Sequence, residues 1–379
     1  MNIPRYLSIS DELKKSKTLV LLGPRRVGKT TLLNNFITST KEKTAVYRGD
    51  ELSTQHAFES ADSNLLKGHI GTAKILAIDE AQAIKGIGQS LKIINDTMPE
   101  VSVIVTGSSS FELTGQVGEP LTGRKTTRYL FPIALTEVLA NESVPMRLFQ
   151  QNLPSYLVYG MYPDIITAEN DQARIDFLRE LVDLYLLRDI LTYQAVKGSR
   201  VILQLLVLLA YQVGNKVSHQ ELGSSLNIDK NTVARYLDLL EKSYIIFRLS
   251  GFSRNLRSEV TKTAKYFFYD VGIRNAVINN FNPLEIREDG EKLWENFIIV
   301  ERLKMRTYTK LYANQYFWRT WKQSEVDLVE EREGKLFGYE FKWKEKVITP
   351  PKEWNETYGD EAAWTAIYPN SALKFLGIE

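Results

Sequence analysis

The sequence predicts an α/β chain: an N-terminal parallel sheet with helices on both faces, a helical region ending in two short helices around a tight turn, and a second α/β region. Three observations predict it. Short β-rich runs alternate with amphipathic stretches through the first 140 residues, the pattern turns helical from about Pro154 to Ala210, and strand-like runs follow a helix after roughly Pro283. Alternation of this kind builds parallel sheets, because each connection must cross back over a sheet face.

In residues 1–140 the strand-length runs are Thr18–Leu22, Ala45–Tyr47, Ile75–Ile78 and Val101–Thr106, with amphipathic stretches such as Thr31–Phe36 and Ser90–Asn95 between them. Residues 141–215 form a helical connection. There Phe177, Leu178, Leu181, Val182, Leu184 and Tyr185 recur at helical spacing. Leu203, Leu205, Leu206, Leu208 and Leu209 lie on a helix apolar nearly all round, which predicts burial. Residues 216–282 hold the two short helices and a strand. In residues 283–379 a helix over Glu291–Lys304 leads into runs at Tyr316–Trp321, Val326–Val329 and Leu336–Trp343.

Composition limits the function classes. The chain has 379 residues, 44% apolar and 25% charged, which suits two or three globular domains and excludes a disordered or collagen-like polymer. Lys plus Arg number 48 and Asp plus Glu 46, so only a local basic patch could serve a nucleic acid. There are no cysteines, which excludes disulfides, thiolate zinc sites, Fe–S ligation and a thiol nucleophile. With His56, His69 and His219 as the whole histidine set, a metal is expected on carboxylates and phosphates. The start, Met1-Asn2-Ile3-Pro4-Arg5, has no apolar h-region, and no apolar run approaches membrane-spanning length. The expectation is a soluble, cytoplasmic protein with no membrane partner.

Gly23-Pro24-Arg25-Arg26-Val27-Gly28-Lys29-Thr30 satisfies G-x-x-x-x-G-K-[ST], and Thr31 follows. Such a P-loop wraps backbone N–H groups around phosphate oxygens, and its glycines permit close approach. The next helix aims its positive end at the anion. Lys29 is expected to neutralise β- and γ-phosphate charge and Thr30 to offer its hydroxyl to Mg²⁺. Arg25 and Arg26 are ambiguous between phosphate contact, partner contact and simple solvation. The second half of the site is Ile75-Leu76-Ala77-Ile78-Asp79-Glu80, an apolar strand ending in two carboxylates. Asp79 would hold the Mg²⁺ through water and Glu80 would polarise the attacking water. The next run ends in Gly107-Ser108-Ser109-Ser110, where Ser108 and Ser109 are candidates to orient that water; an ordinary polar turn is the alternative. Downstream, Arg124 of Leu121-Thr122-Gly123-Arg124 is a candidate finger on its own or a neighbouring subunit's γ-phosphate, with Arg128 the weaker alternative. A trans-acting finger would imply a homo-oligomer; a surface arginine at a turn is the plain reading.

With these residues in order, the N-terminal half resembles the AAA-like P-loop ATPases of the archaeal-ATPase type. Phe131–Glu137, Gly160-Met161-Tyr162-Pro163 and Leu187-Arg188-Asp189-Ile190 extend the resemblance over nearly the whole chain. It implies ATP as the nucleotide and ATP hydrolysis as the activity, without implying a cellular role.

Ser218-His219-Gln220-Glu221 predicts a capping box opening a short helix, Asn227-Ile228-Asp229 a turn, and Asn231–Lys242 a second helix with Val233, Leu237 and Leu240 inward; Ile245–Leu249 would be a wing strand. As a winged helix reading DNA, the exposed face offers Lys230, Asn231, Thr232 and Arg235, but also Asp238 and Glu241. The surplus of +3 over Lys216–Arg257 is modest. A winged-helix packing module is the alternative.

In the last region Glu295 sits on a helix, Asp327 ends Ser324-Glu325-Val326-Asp327, and Tyr339-Glu340-Phe341-Lys342-Trp343 alternates. Glu340 and Lys342 share a strand face. Glu295, Asp327 and Glu340 could make an oxygen cage for Mg²⁺ or Mn²⁺, activating water with Lys342 beside it. The pattern E…D…E-x-K resembles the restriction-endonuclease-like nuclease core, with Val326-Asp327 where Pro-Asp is common. The plain reading is the solvated face of a strand, and Lys344 and Lys346 are equally a phosphate contact or a solvated strand end. The function expected is thus an ATP-hydrolysing protein that binds DNA and carries a metal-dependent nuclease-like domain. The alternative is a nucleotide switch whose later modules bind proteins and cut nothing.

Overall fold

A computed structural model of the chain describes residues 3–108, 121, 123–186, 199–253 and 264–378. They divide into two compact units, one of Arg5–Pro132 with Lys242–Tyr244 and one holding the rest.

In the first unit Thr18–Leu22 (β1), Thr44–Arg48 (β2), Ile75–Asp79 (β3), Ser102–Gly107 (β4) and Lys125–Tyr129 (β5) form one sheet in the order β2-β3-β4-β1-β5. Every pairing is parallel. β1 and β3 are buried along their whole length, which is why they read as unbroken apolar runs rather than alternating ones. The helices Lys29–Ser39 (α1) and Ile87–Thr97 (α2) extend the two amphipathic stretches at both ends. Leu33 of α1 packs on Leu19, Ile75, Ala77 and Ile104, joining three strands in one core. β5, Lys-Thr-Thr-Arg-Tyr, escapes a hydrophobicity reading because it is a half-buried edge strand.

The second unit is built on a seven-stranded sheet of Lys216–Val217 (β6), Ile246–Gly251 (β7), Ala264–Phe268 (β8), Asn314–Arg319 (β9), Glu325–Arg332 (β10), Lys335–Phe341 (β11) and Ala362–Ile367 (β12), in the order β12-β11-β10-β9-β7-β8-β6. The sheet draws strands from two of the four expected segments, residues 216–282 and 283–379. β7 pairs in parallel with β9, Ser250 with Tyr316 and Gly251 with Phe317, so strands on both sides of residue 282 share one hydrogen-bonded ladder.

Pro145–Tyr159 (α3), Ser199–Tyr211 (α4), His219–Leu226 (α5), Lys230–Lys242 (α6), Val271–Val277 (α7), Gly290–Thr309 (α8) and Lys352–Tyr358 (α9) belong to this unit. α3 starts nine residues before Pro154, with Pro145 at its first turn and Pro154 inside it. Gly160-Met161 has a packing role: Asp270, the N-cap of α7, accepts from Met161 N–H at 2.7 Å and from Ile273 N–H at 3.2 Å. Burial pushes the Asp270 carboxyl up to about 6. Leu187–Ile190 lie outside the described residues. Among the described residues no helix is long and apolar enough to cross a membrane.

Candidate functional site

The loop Gly23–Gly28 leaves the C-terminal end of β1, an inner strand between β4 and β5, and α1 begins at Lys29. Crevices at strand C-termini where the order reverses are the usual ligand sites of such sheets. Both loop glycines are geometrically required. Gly28, the N-cap of α1, sits at φ 92°, and a Cβ on Gly23 would lie 2.1 Å from the Leu130 carbonyl oxygen. Arg5 straps the loop from outside, donating to Val27 O and Phe131 O at 2.7 Å each. Within the loop Pro24 and Val27 are buried, Arg25 is half-buried and Arg26 is exposed at φ 62°.

The Lys29 ammonium is buried and donates to Gly23 O at 2.9 Å and Pro24 O at 2.8 Å. Thr30 Oγ1 donates to Asp79 Oδ2 at 2.7 Å, and the Thr106 hydroxyl donates to Asp79 Oδ1. That hydroxyl also accepts from Glu80 N–H at 3.1 Å. The Thr30 hydroxyl and the Asp79 carboxylate are therefore in direct contact, and Glu80 is tied to them through its backbone N–H on the same Thr106 hydroxyl. Thr31 is exposed on α1. The Thr30 hydroxyl against an Asp79 carboxylate is a donor set that fits Mg²⁺ held with a nucleotide phosphate.

Sequence reasoning missed two residues here. Thr106 is fully buried and holds both acidic residues in register. Gln82 Nε2 donates to Glu80 Oε2 at 2.5 Å and to Ser108 Oγ at 3.1 Å. Its signal was a polar side chain two residues beyond Glu80, where the backbone turns through φ 52°. Ser108 thus shares the Gln82 amide with Glu80, while Ser109 lies outside the described residues.

Arg124 is elsewhere. β5 runs parallel to β1 with Lys125 level with Thr18 and Tyr129 level with Leu22, so Arg124 stands at the start of the strands. At 3.3 Å per residue the P-loop end is about 20 Å away, too far for an arginine side chain. The cis-finger expectation is corrected on that ground. Arg124 pairs with Asp96 of α2, and Arg128 with Glu12 Oε2 at 2.5 Å.

In the second unit the predicted carboxylates do converge, but around a lysine. Lys265 of β8 places its ammonium 3.3 Å from Glu295 Oε1, 2.5 Å from Glu325 Oε1 and 3.9 Å from Asp327 Oδ1. Arg319 takes the other oxygen of Glu325 at 3.0 Å, and Lys342 pairs with Glu340 at 2.7 Å. Asp327 lies where the β9–β10 register shifts, in a bulge that re-aims its side chain, and Oδ2 accepts from Phe341 N–H at 2.9 Å. Burial pushes Glu295 up to about 8 and Glu340 up to about 7, with Asp327 adding to both, and raises Asp327 itself. Burial would depress the Lys265 ammonium, but Glu295, Asp327 and Glu325 reverse this and leave it raised.

This arrangement does not fit the divalent ion expected on Glu295, Asp327 and Glu340. Among the described residues no three acidic or histidine side chains are grouped so as to hold a metal, and the Lys265 ammonium stands among the carboxylates. Lys265 and Glu325 are the members that motif reading left out.

α5 and α6 are joined by a tight turn, and the run expected as a wing strand is β7, an inner strand of the seven-stranded sheet. Ser218 Oγ accepts from Glu221 N–H at 3.3 Å, and Asn227 turns the chain at φ 54°. Asp229 caps α6, accepting from Asn231 N–H, Thr232 N–H and the Thr232 hydroxyl. That bond engages Thr232 in the cap, while Lys230, Asn231 and Arg235 are exposed.

Residues 15–139 match a family described as the AAA domain. Residues 150–284 and 291–363 match two families, each described as a domain of unknown function. The chain is 27% identical over 335 residues to uncharacterized proteins of Mycobacterium bovis and Mycobacterium tuberculosis, covering 87% of this chain and 71% of each relative. It is 24% identical over 321 residues to an uncharacterized protein of Methanocaldococcus jannaschii, covering 78% and 72%. A solved Walker-type ATPase of Pyrococcus abyssi aligns with a TM-score of 0.49 at 15% identity, over 71% of this chain and 93% of that one. The first unit thus combines a parallel sheet and the Gly23–Thr30 loop with a similarity to the AAA domain over residues 15–139.

Proposed function

We propose that the chain binds ATP with Mg²⁺ in the P-loop unit and hydrolyses it with Glu80 as the water-polarising carboxylate. The observation that carries this is the 2.7 Å bond from Thr30 to Asp79, with Thr106 on the second Asp79 oxygen and on Glu80 N–H. It brings the phosphate-side hydroxyl and the acidic strand tip into one site. Thr30 and Asp79 would hold Mg²⁺, which when bound supplies charge to the β- and γ-phosphate oxygens. Lys29 adds positive charge after leaving its two loop carbonyls, and Gly23–Thr31 supplies the phosphate cradle. Ser108 and Glu80 face the space where water must be oriented. Arg124 takes no part in this chain's own site.

The test is ATP turnover and Mg·ATP affinity in Glu80→Gln and Lys29→Ala. General-base loss costs about 10²–10⁴ in rate, so Glu80→Gln is expected to bind ATP and turn it over at least a hundredfold more slowly. Lys29→Ala is expected to lose turnover too. Normal turnover in either variant removes this reading.

A second activity, DNA binding by the second unit, is supported by the exposed Lys230, Asn231 and Arg235 on α6 and by Trp321, which is 98% exposed in the β9–β10 turn beside Lys322. Phosphate contacts release counterions, so affinity should fall steeply with salt and Arg235→Ala should weaken it. Binding that ignores salt, or none at physiological ionic strength, favours a nucleotide switch that engages proteins. No cleavage step is assigned to Asp327, Glu340 and Lys342, whose carboxylate set already holds a lysine.

A further inference from the structure

The acids facing Lys265 come from two elements: Glu295 from α8, and Glu325 and Asp327 from β10. Glu340 of β11 joins from across the ladder. Leu328 pairs with Tyr339 in the antiparallel register, so Asp327 and Glu340 are the next cross-strand neighbours on one face. Like charges directly opposite repel, and the sheet needs positive charge at this point. Lys342 serves Glu340, and Arg319 serves one oxygen of Glu325. The remaining oxygens of Glu325, Glu295 and Asp327 face Lys265, whose side chain crosses the Phe317 ring and is 1% exposed.

We infer that Lys265 is the resident cation of this cluster, so that its ammonium and a divalent metal ion exclude one another there. Three features carry the inference. The ammonium is in reach of oxygens from both contributing elements. A divalent ion would have to approach the same oxygens to about 2.0–2.6 Å, a volume the ammonium occupies. The lysine is also buried, so it cannot swing into solvent without a shift of β8. The cluster thereby ties β8 to α8 and β10 and welds the two halves of the seven-stranded sheet. It also means that the E…D…E-x-K pattern is present with its cation supplied by the chain.

The experiment is a Mn²⁺ titration of the nucleotide-free full chain, with free Mn²⁺ read by electron paramagnetic resonance. Wild type, Asp327→Asn, Lys265→Met and Lys265→Met/Asp327→Asn are compared, with folding checked by circular dichroism. Wild type and Asp327→Asn are expected to bind alike. Folded Lys265→Met is expected to gain one site at least tenfold tighter than any in wild type, and Asp327→Asn is expected to abolish it. A wild-type Mn²⁺ site that Asp327→Asn removes would overturn the inference, as would a folded Lys265→Met with no gain. The first pair needs no change at Lys265, so it decides the matter even where Lys265→Met does not fold.

Discussion

Gln82 Nε2 donates to Glu80 Oε2 and, 3.1 Å away, to Ser108 Oγ, so one amide bridges the two groups expected to flank an attacking water. The contact fixes the carboxylate direction without touching the phosphate loop. Gln82→Ala should lower the turnover number about tenfold, a fraction of what a general base contributes, and leave the KM for ATP within about twofold. If Gln82 acts through Glu80, Gln82→Ala/Glu80→Gln should be no slower than Glu80→Gln alone. Independent, multiplying losses would show that Gln82 does something else.

Arg124→Ala follows from strand register. The residue stands level with the start of β1 and pairs with Asp96, while the P-loop leaves the other end. Dilute protein should therefore turn over ATP at the wild-type rate in this variant. A deficit that appears only as protein concentration rises would identify a trans role, and a deficit at the lowest concentrations would contradict the register argument.

Legibility followed the range of the interactions. The P-loop was readable because glycine, lysine and hydroxyl act within eight consecutive residues, and β3 because a wholly buried strand needs an unbroken apolar run. Gln82 was harder: its role depends on a left-handed turn at Glu80 that points the amide back, which composition does not reveal. Lys265 was out of reach. It lies in Ala264-Lys265-Tyr266-Phe267-Phe268, 30 residues before Glu295, and its only trace is a lysine inside an otherwise buried, mostly apolar strand. The β7–β9 pairing across residue 282 was out of reach for the same reason, because it joins segments more than sixty residues apart. For Arg124 the cis role, the trans role and the plain surface arginine could not be separated from the sequence, because the end of the sheet it occupies is set by the β1–β5 register.

The raised carboxyls make a prediction for pH. Burial moves Glu295 from 4.5 to about 8 and Glu340 from 4.5 to about 7. Both acids hold their proton more tightly folded than unfolded. Their contribution to stability is therefore complete below the unfolded value and is lost as pH rises through the folded one. Stability to urea should fall between about pH 5 and pH 8 from this source, and Glu295→Gln should flatten the slope. The variant should match wild type near pH 5 and exceed it above pH 8. A variant weaker than wild type at the alkaline end would mean that the Lys265 bond outweighs the burial cost of the charge.

Arg302 of α8 grips Glu330 of β10 with two parallel bonds, Nε to Oε1 and Nη2 to Oε2, both 2.8 Å, and Nη1 donates to Phe375 O at 2.6 Å. Glu330 has no exposed surface. Removing one member of such a pair leaves a desolvated charge facing nothing, at a cost of about 3–5 kcal/mol, whereas replacing both by apolar groups is often neutral. Glu330→Ala should therefore lose about that much in urea or guanidinium unfolding. Arg302→Met/Glu330→Leu should recover part of it: of the two other arginines 3.6 Å from Glu330, Arg306 keeps its bonds to Leu311 O and Ala313 O and Arg332 keeps its place over the Phe337 ring. The double variant separates burial from pairing: if it is as unstable as Glu330→Ala, the helix is held to the sheet by the ion pair itself, and if it recovers, apolar packing across α8 and β10 suffices.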